Sequence, residues 1–287
     1  VLIGQKVKED PVKQNPIAVF DSGLGGLSVV RELQRLLPGE ETVYFGDTAR
    51  VPYGIKSRRT VAHFALEDAR FLLQFEPKLI VAACNTASAL AMDELEAKLP
   101  VPVVGVVKPG AQAAVRLADG APVAVIGTEA TIASGAYTAA IHALDANVEV
   151  VAQPCPLLVP LVEEGRGCDD PIVKLTVETY LSPLRTQSIR VVVLGCTHYP
   201  LLRDAIAACL GPEVHIVESG RETALAVRDA LEGGGLCAER RTGNLFCFVS
   251  DNPARFRRIG SRFLGHDIEH VEFVEPERYI ASAAIDR

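Results

Sequence analysis

Two segments of this chain are built alike, and together they limit the fold more than any other feature. Residues 79–86 read LIVAACNT and residues 191–198 read VVVLGCTH. Each is an apolar, largely β-branched run that ends in a cysteine and a polar pair, and each leads into a helix-like stretch. The cysteines, Cys84 and Cys196, stand 112 residues apart, as equivalent points in two similar units would. The rest of the chain keeps the same rhythm. Strands are expected at 17–20, 42–45, 79–83, 101–107, 123–126, 148–152, 191–194, 215–217, 245–249 and 268–274. Helices are expected among them at 27–37, 61–73, 88–99, 110–117, 172–181 and 201–210. Strand–helix alternation means α/β architecture with parallel sheets, and uniformly apolar strands mean sheets covered on both faces. A length of 287 residues suits two domains.

Composition excludes several classes. Acidic residues outnumber basic ones, 36 to 29, for a net charge of −7, which argues against a nucleic-acid partner. Arg255, Arg257, Arg258 and Arg262 lie close together and read as a solvated helix face. No apolar run approaches the ~18 residues of a membrane span. Residues 1–15 are charged, lack a secretory signal, and are expected to be a poorly ordered extension. The seven cysteines are odd in number with no C-x-x-C pair, so neither a disulfide framework nor a zinc knuckle fits, no metal is expected, and a reducing cytoplasm is.

In open α/β sheets, ligands bind beyond the carboxyl ends of the strands. Cys84 and Cys196 both fall there, each before a helix whose free N–H groups favour a thiolate. Cys155, Cys168, Cys209, Cys237 and Cys247 lack this setting and are assigned to packing or surface. Inverting a stereocentre through a planar carbanion takes a base on one face and an acid on the other, and a thiol pair does both. A single Cys–His nucleophile, with His198 beside Cys196, is the rival reading. The first strand runs into Asp21-Ser22-Gly23-Leu24-Gly25-Gly26, where glycines let backbone N–H groups approach an anion. A dinucleotide loop would need Gly or Ala where Ser28 stands, and Asp21 would oppose a pyrophosphate. A zwitterion suits the site better, with Asp21 or Asp47 near its ammonium. The segment 45–54, FGDTARVPYG, reads as a binding loop above the sheet.

These residues resemble the glutamate racemases of the aspartate/glutamate racemase superfamily, over about residues 16–275. The motifs are FDSGLGGLSV at 20–29, FGDTARVPYG at 45–54, ACNTASA at 83–89, VKPGA at 107–111, IGTEATIASGAY at 126–137, PLVEEG at 160–165 and LGCTHYPLL at 194–202. The resemblance implies two facing, doubly wound, pseudo-symmetric α/β domains with the active site between them. It implies a discontinuous first domain, 16–107 with 219–287, carrying Cys84, and a second, 108–218, carrying Cys196. Cys84 and Cys196 would be the acid/base thiols, helped by Asp21, His198 and Glu163. Asp21, Ser22, Tyr53, Gly54, Asn85, Thr86, Thr197 and His198 would line the pocket, with Thr128 and Thr131 near the substrate's side-chain carboxylate. The implied reaction interconverts L- and D-glutamate without pyridoxal phosphate, metal or any other cofactor, and supplies D-glutamate for peptidoglycan. Glu218 departs from the Asp common at that position. Aspartate is the competing substrate, although aspartate racemases lack the 45–54 and 194–202 wording. A purely partner-binding role has no use for two strand-end thiols, and pairing of the chain into a homodimer is left open by the residues.

Overall fold

The computed structural model describes residues 11–280. Ten strands form: β1 (Ile17–Asp21), β2 (Thr42–Gly46), β3 (Leu79–Ala82), β4 (Val103–Gly105), β5 (Val123–Gly127), β6 (Val150–Pro154), β7 (Val191–Gly195), β8 (His215–Glu218), β9 (Leu245–Val249) and β10 (His270–Phe273). They make two wholly parallel sheets, ordered β10-β9-β2-β1-β3-β4 and β6-β5-β7-β8. β1, β2, β3, β5 and β7 are buried along their whole length, because helices cover both faces and no polar face is needed. The edge strands β4, β6 and β10 are only half-buried or exposed.

The chain enters the second sheet through the helix Val107–Ala118, after β4, and leaves it after β8 through the helix Ser219–Gly233. That second helix packs on the helix Leu27–Leu36 of the first sheet. One apolar core runs without a break from Val19, Leu27 and Phe263 on the first sheet to Ile126, Leu158 and Leu194 on the second. The two halves are thus held by shared packing as well as by their two connections. Glu218 stands at the N-cap of the returning helix without capping it, and pairs instead with Arg203 at 3.0 Å.

Local chemistry corrects several expected boundaries. The helix expected at 88–99 starts at Asn85, immediately after Cys84, and breaks at Ala91 into Asn85–Leu90 and Met92–Lys98. Ser88 is drawn out of a purely helical role: its hydroxyl donates to Ala82 O (2.8 Å) and accepts from Val106 N (3.0 Å), tying β3 to the residue after β4. The helix expected at 201–210 begins as a 3₁₀ turn, Tyr199–Leu202, with Pro200 in it, and becomes α-helical over Arg203–Leu210. Residues 1–10 of the expected extension lie outside the described residues. Residues 11–15, expected to be poorly ordered, are instead fastened down: Pro11–Gln14 is a 3₁₀ turn and the buried Lys78 ammonium donates to Lys13 O at 2.9 Å.

Candidate active site

Every strand end that faces the gap between the sheets carries a polar or reactive group. β1 ends in Asp21 and is followed by Ser22; Cys84 follows β3 with one residue between, and β5 is followed by Thr128 and β7 by Cys196. Loops after β2 and β6 close the sides, and the result is a cavity of about 410 Å³. Ser22, Cys84, Asn85 and Thr86 line it from the first sheet, and Thr128, Cys196, Thr197 and His198 from the second. Two thiols from two different sheets therefore share one cavity.

Cys84 is 5% exposed and holds the N-cap position of Asn85–Leu90, with its thiol 3.6 Å from Ser22 Oγ. Burial, then the charge of Asp21, push this thiol up to about 12. Asp21 is completely buried; one carboxylate oxygen accepts from Gly23 N at 3.0 Å and the other has no partner among the described residues. Burial raises its pKa too, against the opposing influence of His198.

Cys196 has a different neighbour. Its sulfur is 3.8 Å from His198 Nδ1, and His198 Nε2 is 3.1 Å from Glu163 Oε1. The other Glu163 oxygen accepts from Arg255 at 3.1 Å. Burial works against a charged imidazole, but the contacts with Cys196 and Glu163 outweigh it and raise His198 to about 10. Burial likewise opposes the Glu163 carboxylate, and His198 and Arg255 outweigh that and hold it below the usual range. The chain Arg255–Glu163–His198–Cys196 is thus an alternation of charges that ends on a thiol.

The structure brings most of the sequence-predicted residues together. Ser22, Tyr53, Gly54, Cys84, Asn85, Thr86, Thr128, Glu163, Cys196, Thr197 and His198 line the cavity, while Asp21 and Thr131 lie behind its wall. Thr131 still acts at the wall, since Thr86, Thr128 and Thr131 hydroxyls form a triangle with sides of 2.9–3.1 Å that links the two sheets. Asp47, expected near a substrate ammonium, does not line the cavity. One of its oxygens takes Tyr53 OH (2.5 Å) and Arg50 Nε (2.6 Å), and the other takes Ser250 Oγ (3.0 Å). A carboxylate so engaged braces the 51–55 loop from behind.

The glycines after β1 serve contact between the halves. A Cβ on Gly25 would meet Thr197 Oγ1 at 2.3 Å and the His198 ring at 2.6 Å, so only glycine lets the loops touch. Ser28 Oγ donates to Thr197 O at 3.1 Å across the same contact. Arg255 and Arg262 also correct an expectation. Only Arg257 and Arg258 are plain exposed face; Arg255 reaches Glu163, and Arg262 donates to Val162 O at 3.2 Å.

A family model described as Asp/Glu/hydantoin racemase matches residues 17–227. The chain belongs to that racemase family. Among curated family members, the glutamate racemase of Geobacter metallireducens is 51% identical over 262 residues, covering 91% of this chain and 97% of that protein. Among solved racemase structures, the glutamate racemase isoform RacE1 of Bacillus anthracis aligns with a TM-score of 0.87 at 40% identity, covering 92% of this chain and 98% of its own. The Francisella tularensis glutamate racemase, solved in complex with D-glutamate, aligns with a TM-score of 0.86 at 39% identity and the same coverage. An aspartate racemase from Picrophilus torridus, at 17% identity and a TM-score of 0.55 over 77% of this chain and 94% of its own, shares the fold alone.

Within this racemase framework, several residues at the site escape a reading of the sequence. Pro156, Leu157 and Val159 line the cavity from the segment after β6, where no motif beyond Pro160–Gly165 marks them. Arg255 acts across 92 positions of sequence, and its only local signal is the arginine cluster.

Proposed function

We propose that the chain interconverts L- and D-glutamate by proton exchange at the α-carbon between Cys84 and Cys196. The observation that carries this reading is the pair of thiols, one from each sheet, in a single cavity. One thiolate takes the α-proton and leaves a planar carbanion; the opposite thiol returns a proton to the other face. The C–H bond broken on one side is matched by one formed on the other, and no electron acceptor enters. Each turnover exchanges the protonation of the two sulfurs, and a proton passed to solvent or a reverse turnover restores it. Among the described residues no lysine or arginine lines the cavity, so the substrate carboxylates are held by hydroxyls, amide groups and backbone N–H groups. The substrate ammonium supplies the positive charge that the Cys84 side lacks and favours its thiolate.

The two-domain division proposed is 16–107 with 219–287, and 108–218. It is supported by the sheet membership of the strands: β1–β4 with β9 and β10, and β5–β8. D-glutamate so made would serve peptidoglycan synthesis. Among the described residues no helix is long and apolar enough to cross a membrane. The decisive experiment follows racemisation of L-glutamate and L-aspartate side by side, by circular dichroism, in buffer stripped of pyridoxal phosphate and divalent metal. Full activity on glutamate is expected. Preference for aspartate, or dependence on an added cofactor, would overturn the reading.

A further inference from the structure

One buried donor in the cavity wall has no partner among the described residues: the amide nitrogen of Asn85. Asn85 follows Cys84, is 2% exposed and lines the cavity. Its amide oxygen is held from behind. Tyr137, on the helix Ala136–His142 of the second sheet, places its hydroxyl 2.6 Å from Asn85 Oδ1. Ser219, at the start of the returning helix, has its hydroxyl 3.0 Å from Tyr137 OH, 3.0 Å from Leu194 O and 3.5 Å from Asn85 Oδ1. With the phenol proton given to Asn85, it is the single Ser219 proton that can brace Tyr137, and Leu194 O competes for it. Leu194 O is in β7, two residues before Cys196.

The separation decides which end of the amide faces Tyr137. A distance of 2.6 Å suits O–H···O and is short for N–H···O, whose usual value is about 2.9–3.0 Å. Tyr137 therefore donates and the amide oxygen accepts. Burial keeps the phenol protonated by pushing it above its usual range. With Oδ1 committed, the NH₂ group is left toward the cavity, and a buried donor without a partner is costly until a ligand meets it. Tyr137 itself does not line the cavity.

We propose that Tyr137, braced by Ser219, is a positioning residue that fixes the Asn85 amide with its NH₂ toward the substrate, making position 85 a donor to a substrate carboxylate. The inference rests on reading the cavity as an amino-acid site. In Tyr137→Phe the amide oxygen loses its short donor and keeps only the 3.5 Å contact with Ser219 Oγ, so the amide is freer to turn and present an oxygen to the carboxylate.

The experiment measures KM and kcat in both directions for Tyr137→Phe, Asn85→Ala and the double variant. Tyr137→Phe is expected to raise KM about tenfold for both enantiomers, the order of one lost hydrogen bond to a charged group, with kcat within about threefold. The double variant is expected to be no worse than Asn85→Ala alone. An unchanged KM in Tyr137→Phe, effects that multiply in the double variant, or a fall in kcat at constant KM would each overturn the proposal; the last marks a hinge role. Thermal melts check that Tyr137→Phe folds. If it does not, Ser219→Ala is read in the same way, with a KM rise of about two- to threefold expected in the native background and none with Asn85→Ala. A native enzyme inactive on both glutamate and aspartate would instead remove the amino-acid reading.

Discussion

The two thiols occupy equivalent points in the two sheets, but their surroundings are opposite in kind. Cys84 has a buried acid and a hydroxyl for company, and its burial beside Asp21 pushes it up to about 12. Cys196 stands at the end of a charged chain, in which His198 is raised to about 10 and Glu163 is anchored by Arg255. The backbone repeat supplies two sulfurs in matching places, and the side chains around them differentiate the pair. One half-site carries its own cation; the other receives one with the substrate. A reversible proton exchange is compatible with this imbalance because the ammonium arrives whichever enantiomer binds.

The comparison breaks most sharply at the sulfurs themselves. Cys84→Ala and Cys196→Ala are each expected to lower racemisation by about 10²–10⁴-fold or more, the usual contribution of a positioned acid or base. Substantial activity in either variant would show that the halves are not both needed. Irreversible elimination from β-chloroglutamate separates them further, since it needs only one proton abstraction. The family resemblance implies that Cys84 takes the proton of D-glutamate and Cys196 that of L-glutamate, so Cys84→Ser is expected to retain elimination from the L-form and Cys196→Ser from the D-form. Equal action of both variants on both hands would erase the assignment.

The next effect down concerns charge on the Cys196 side alone. Glu163→Gln leaves His198 without its carboxylate and is expected to lower kcat by about 10²-fold. A pH experiment tests the same chain without activity. His198 is raised in the folded state from 6.5 to about 10, so its stabilising contribution is complete below pH 6.5, declines above it and is gone once pH passes about 10. The melting temperature should fall across that window, and His198→Asn should flatten the fall. An equal slope in both proteins would show that the charge is not there.

Gly25→Ala tests whether the halves must touch. The added methyl would sit 2.3 Å from Thr197 Oγ1, and overpacking of this kind costs about 1–3 kcal/mol. Loss of activity with a lowered Tm is expected, and native behaviour would mean the contact yields freely. The smallest effect is Arg255→Ala. Its side chain is 41% exposed, so the pair with Glu163 is screened and worth about 0.2–1 kcal/mol. A two- to fivefold fall in kcat is expected, and a larger one would mean that Arg255 holds Glu163 more tightly than a surface pair.

Much of this was legible in the chain because strand cores and strand ends are local. Most strands among the described residues announce themselves as apolar runs, β8 and β10 being half polar, and Cys84, Cys196 and His198 sit where two of those runs stop. The short helices Glu129–Ala133 and Leu158–Glu163 did not, since one or two turns carry too little periodicity to read. Asp47 is harder to place from sequence for a related reason. A strand-end acid looks like a ligand until Ser250 arrives from 203 residues away to occupy it. Arg255 likewise looks like one cation among four until the fold sets Glu163 beside it. Partners remote in sequence leave no pattern to count.

The triangle of Thr86, Thr128 and Thr131 has an arithmetic of its own. Three hydroxyls bring three protons to three links, so the ring closes with none left over, and it closes equally well with the protons circulating in either sense. Moving the sheets apart cuts the two links to Thr86 and spares the one between Thr128 and Thr131. The fastening therefore carries no charge, has no preferred polarity, and can be undone and remade without deciding beforehand which oxygen gives and which receives. For a cleft that must admit and release a charged molecule of either hand, such a clasp is indifferent to the direction of traffic.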